Sequence, residues 1–152
     1  MTNCSAPPPT LTFDRLPPDW PTRSLAEPLI ASGVVDLTMP VRDRHGWSVT
    51  VLLCDGYGRL VHPCLVAEVP RESNDLDKLR VLKPFAAHAR ECGGGLLVAR
   101  GRPGTTKVDT EDISWARAAR NACRVRSVPL LGFYVATPTH VMPLDAADLR
   151  AA

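Results

Sequence analysis

Apolar and polar positions along this chain switch between a two-residue and a helical period, and the switch points divide it into elements. Residues 47–55 and 59–69 are runs of β-branched and apolar residues joined by Gly56-Tyr57-Gly58, whose glycines can take positive φ. They predict a β-hairpin, with Pro63 marking the second strand as an edge or a bulge. Over residues 73–92 the period becomes helical. Leu76, Leu79, Leu82, Ala86 and Ala89 share a face, Ser73-Asn74-Asp75 supplies the cap, and Pro84 predicts a kink. Gly93-Gly94-Gly95 closes that helix and feeds a buried strand over 96–100. A further helix starts at Asp109 or Thr110 and runs to about residue 126. Its spacing puts Asp112, Trp115, Ala119, Ala122 and Cys123 on one face and Arg117, Arg120 and Arg124 on the other. Strands follow over 128–136 and 139–144, and Asp145 is placed to cap a short C-terminal helix.

The N-terminal part reads differently. Residues 1–22 are a proline-rich arm whose Leu11, Phe13, Leu16 and Trp20 are too frequent for a bare linker and favour packing on the domain itself. Ser24 with Glu27 predicts a capping box opening a short helix over 24–32, which Pro28 shortens or kinks and Gly33 stops. Residues 34–39 predict an edge strand, and Arg42 to Gly46 a charged turn. The chain thus divides into the arm and one domain over 23–152. The expected class is α/β with a mixed sheet, in the order β-β-α-β-α-β-β after an N-terminal extension.

Composition narrows the function classes. At 152 residues the chain can bury one real core, and its net charge of +2 asks for no nucleic acid partner in bulk. No stretch is apolar enough to span a bilayer, and Pro7-Pro8-Pro9 stands where a secretory signal needs an apolar run, so a cytoplasmic location is expected. Cys4, Cys54, Cys64, Cys92 and Cys123 include no Cys-x-x-Cys pair. All but Cys4 sit among apolar neighbours, which predicts buried structural thiols. His45, His62, His88 and His140 lie far apart in sequence and none has ligand spacing.

From residue 47 to 144 the chain resembles the JAB/MPN domain, most closely its bacterial RadC-like branch. The resemblance rests on the hairpin VTVLLCDGYGRLV, on LRVLKPFAAHARECGGGLLVARGRPG as a helix and a strand ending at a loop, and on SVPLLGFYVATPTHVMPL as the closing strands. It implies a JAB-like sandwich. That family binds a metal ion through His-x-His at the strand end and an Asp about ten residues later, and a Glu from the first hairpin-strand region activates the water. Here Arg100 and Arg102 stand at the His-x-His positions, Pro103 is kept, Asp109-Thr110-Glu111-Asp112 matches the Ser-x-x-Asp element, and no acid stands near Trp47.

Guanidinium groups stay protonated and cannot ligate zinc, so the resemblance implies the fold without the peptidase or isopeptidase chemistry. No catalytic residue, metal or cofactor is expected. The implied role is a protein-binding or scaffold module whose partner is another protein, as a homodimer or with a second MPN-type domain. Two other readings of these residues stay open. Arg100, Arg102 and Lys107 around a Gly/Pro loop could bind an anion, although Asp109, Glu111 and Asp112 would offset their charge; an internal ion pair of Arg100 or Arg102 with Asp112 is the plainer reading. The alternative functions are a metallopeptidase with a rearranged site, for instance Asp112 with His45 or His140, and nucleic-acid binding through Arg117, Arg120 and Arg124 on the helix 110–126.

Overall fold

The computed structural model describes residues 15–66 and 69–145; the outer part of the arm and the expected C-terminal helix lie outside the described residues. The described elements run α1 (Pro28–Thr38), α2 (Val41–Arg44), β1 (Ser48–Cys54), β2 (Leu60–Val66), α3 (Asp75–Glu91), β3 (Gly95–Gly101), α4 (Thr110–Val125), β4 (Leu130–Ala136) and β5 (Val141–Pro143), with a 3-10 turn at Trp20–Thr22 before them. The sheet is five-stranded and mixed, in the order β2-β1-β3-β4-β5. Only β3 and β4 are parallel, and the crossover between them is α4. From β1 onward the element order is the one expected from the sequence.

Strand alternation builds two cores. Val49, Val51, Leu96, Val98, Phe133 and Val135 point to one face, where Leu82, Ala86 and Ala89 of α3 and Trp115, Ala119 and Ala122 of α4 cover them. Leu52, Cys54, Leu97, Ala99, Tyr134 and Ala136 point to the other, against Ile30, Ala31, Val34 and Val35 of α1 and Leu25. Leu16 and Trp20 of the arm pack there too, which is the docking the arm's apolar residues predict. The result is three layers, helix on sheet on helix pair.

Two N-terminal expectations are corrected. The short helix, glycine stop and edge strand are one helix, α1, running through Gly33 to Thr38. Pro28 sits at its first turn, where the missing N–H has no partner to lose, so it starts the helix rather than kinking it. The Ser24 hydroxyl accepts from the Ala26 amide and Glu27 is the N-cap residue, without a side-chain cap bond. Residues 34 and 35 have β-branched preferences, but both are fully buried against the sheet, and packing outweighs propensity. The expected charged turn is instead the helical turn α2. Its Arg44 is only 3% exposed and donates to the carbonyls of Met39, Asp36 and Thr137 and to the Asp36 carboxylate, which ties α1 to the end of β4.

The hairpin turn is held by Asp55, whose Oδ1 accepts from the amides of Tyr57 and Arg59. Gly58 takes φ 82° there and leaves no room for a side chain against Ser24. β2 is an edge strand, as Pro63 indicates. Its register with β1 puts Val61, Pro63 and Leu65 on the α1 side of the sheet, and Val61 and Leu65 are exposed. Asn74 caps α3 by accepting from the Asp77 amide, and the helix continues through Pro84 to Glu91. Its expected apolar stripe is interrupted: Leu76 is exposed, while Lys78 is buried. The Lys78 ammonium donates to the Ser73 carbonyl, pairs with Glu111 at 3.1 Å and lies 5.8 Å from the Trp115 ring centre. Among the described residues no helix is long and apolar enough to cross a membrane.

Candidate functional site

β3 ends at the N-terminus of α4, and this junction gathers the residues singled out from the sequence. Successive residues of a strand point to opposite faces, so Arg100 and Arg102 leave the same side of the chain, facing the helix layer. Gly101 between them has no space for a side chain, because Ser48 and Met39 press against it from β1 and the end of α1. Asp109 is the N-cap of α4 and Asp112 its third helical residue. Each carboxylate accepts the other's backbone amide, at 2.7 Å from Asp112 N to Asp109 and 3.0 Å from Asp109 N to Asp112. The capping box that starts the helix therefore also aims Asp112 at the strand end.

Asp112 is completely buried and meets both guanidiniums. Arg100 Nη1 donates to its Oδ1 at 2.7 Å, while Arg102 reaches it through Nε at 2.9 Å and Nη2 at 2.8 Å, a two-pronged grip. Burial works against the charge on Asp112. The hydrogen bonds from Arg102, from the Asp109 amide and from Arg100 outweigh it and hold the carboxyl below its usual range. Arg102 is raised in turn, chiefly by its bond to Asp112.

The surrounding loop completes the lock. Arg102 Nη1 donates to the carbonyls of Pro103 and Thr105, and Nη2 to that of Lys107. Residues 103–107 thus turn carbonyl oxygens toward the site, the reverse of the amide-lined concavity that holds an anion. Lys107 contributes its carbonyl, and its side chain is exposed. Arg100 also donates to Asp109 at 3.1 Å and reaches the Arg71 carbonyl at 3.5 Å, leaving its buried Nε without an acceptor among the described residues. Outside this cluster opens a cleft of about 540 Å³ lined by Trp47, Arg71, Glu72, Asp109, Thr110 and Glu111 together with the two arginines. Arg71 stacks over Trp47 at 5.5 Å, and Glu111 is committed to Lys78.

The residues present do not fit a zinc ion. Of the three positions that carry ligands in the resembled family, two hold guanidiniums and the third has its carboxylate taken by them. His45 and His140, the candidates for a rearranged site, are exposed, and neither is among the residues that bond Asp112. Among the described residues no group of three or more His, Cys, Asp and Glu side chains is placed to hold a metal. Arg117, Arg120 and Arg124 are exposed along α4 as its periodicity requires, with Arg124 bonded to Asn121.

The expected burial of the thiols holds for Cys54 and Cys123 and is corrected for Cys64 and Cys92. Cys54 and Cys123 are buried, and burial pushes them up to about 12 and about 11. Cys64 is half-buried, but Cys92 is exposed, with its Sγ 3.7 Å from His88 Nε2. Comparison with protein-family models, with curated proteins and with solved structures returns no match.

Proposed function

We propose that this chain is a non-catalytic JAB/RadC-like domain, metal-free at the family's site, that acts as a protein-binding scaffold. One observation carries the reading: Asp112, wholly buried, is saturated by Arg100 and Arg102 at the strand–helix junction where the family's ligand set would lie. An acid in that state has no lone pair to offer a cation, and two fixed positive charges repel one. The element order from β1 to β5 and the capping box at the start of α4 support the fold resemblance.

The partner surface is the outer face of β2, and the partner is a second domain of the same kind. Val61 and Leu65 are 65% and 45% exposed, and Pro63 between them has no N–H to offer an added strand, so contact is made by side chains rather than by sheet extension. Two measurements test the two halves. Peptide and isopeptide hydrolysis with added zinc is expected to show no turnover that depends on Asp112, and turnover abolished by Asp112→Asn would refute the non-catalytic half. Sedimentation equilibrium is expected to show concentration-dependent association that Val61→Glu with Leu65→Glu abolishes. A monomer at every concentration would refute the pairing.

A further inference from the structure

We infer that His88 and Cys92 form a chelating site for a zinc-class divalent cation at the C-terminal end of α3, separate from the Arg100–Asp112 junction. The two residues are four apart on one helix, which places them one above the other on the same face. Their donor atoms are 3.7 Å apart, and both side chains are exposed. In a tetrahedral zinc site, with Zn–S about 2.3 Å and Zn–N about 2.0–2.1 Å, sulphur and nitrogen stand about 3.6 Å apart. The pair, joined in this structure by a Sγ···Nε2 hydrogen bond, thus already stands at the bite distance of one ion on a formed helix. A free pair on a flexible segment would have to be ordered first.

Three further features favour a cation at this place. Cys92 is the C-cap of a 17-residue helix, so the negative end of the helix dipole lies at the site. At about 100° per residue Glu91 stands about 60° round the helix from His88, and Arg90 points away from the pair. The thiol and imidazole together select a borderline-soft ion over calcium or magnesium, which take oxygen ligands. Two positions of the tetrahedron remain for water or an incoming donor.

The test is titration of the full chain with Zn²⁺ against a chromophoric chelator, with His88→Ala and Cys92→Ser alongside. Both residues are exposed, and circular dichroism checks that each variant is folded. The expected result is Zn²⁺ binding weakened at least tenfold by either change, with the ion slowing alkylation of Cys92 in the parent but not in His88→Ala. Absence of Zn²⁺ binding, or equal binding by the parent and both variants, would overturn the assignment.

Discussion

Replacing Asp112 with alanine removes one carboxylate and strands two cations. Arg102 keeps its three loop carbonyls, and Arg100 keeps Asp109, whose side chain is 49% exposed, and a long 3.5 Å contact with the Arg71 carbonyl. The change also cuts the carboxylate that accepts the Asp109 amide, half of the α4 capping box. Removing one partner of a buried ion pair costs about 3–5 kcal/mol, most of it the penalty of the charge left behind. Asp112 is fully buried, so that full range applies. In a domain of this size each kcal/mol moves Tm by about 2–4 °C, so the expected fall is about 6–20 °C in a reversible melt followed by circular dichroism. A companion variant separates stranded charge from lost contact. Arg100→Met, Arg102→Met and Asp112→Leu together replace the ions with apolar groups, and such replacements are near neutral or stabilising. The triple variant is expected to regain at least half of the loss. A Tm for Asp112→Ala within about 2 °C of the parent would refute the reasoning, because it would mean the acid is solvated or the guanidiniums relax to water at no cost.

Acid should act on the same group. The carboxyl of Asp112 is held below its unfolded value, so its stabilisation is complete above about pH 4 and is lost as pH falls through the folded value. Urea midpoints measured down the acid range are expected to fall more steeply for the parent than for Asp112→Asn, and parallel curves would contradict this. Arg44→Met breaks four hydrogen bonds joining α1 to the end of β4 and is expected to cost about 2–3 kcal/mol by urea denaturation, whereas a change below about 0.5 would show the guanidinium is dispensable. For the exposed face of α4, gel retardation at low salt is expected to show no DNA binding that Arg117→Ala with Arg120→Ala reduces. A steep salt dependence flattened by that pair would favour the nucleic-acid reading.

Much of the fold was legible because local signals agreed with each other. The β1–β2 turn, the caps of α3 and α4 and the strand-to-helix switch at Asp109 are written in neighbouring residues. The Arg100–Asp112 contact could be proposed because a strand end and a helix first turn so close in sequence have few ways to face each other. What failed depended on distant partners. Residues 34–39 look like a strand until a sheet exists to bury one side of a helix, and Gly33 looks like a stop because local energetics cannot see that packing. Lys78 and Arg44 are charged and give no local sign of burial; their acceptors come from Glu111 and from the Thr137 carbonyl, both remote in sequence. The His88–Cys92 pair was visible in principle at four-residue helical spacing.

Arg100 and Arg102 together leave the Asp112 carboxylate no lone pair to give a metal ion. The most direct measurement is an anomalous-difference map at the zinc edge from crystals grown with Zn²⁺. The account predicts no peak between Arg100, Arg102 and Asp112, with Arg102 still in its two-pronged contact with the carboxylate. A zinc peak bonded to Asp112, with the arginines swung aside, would contradict it.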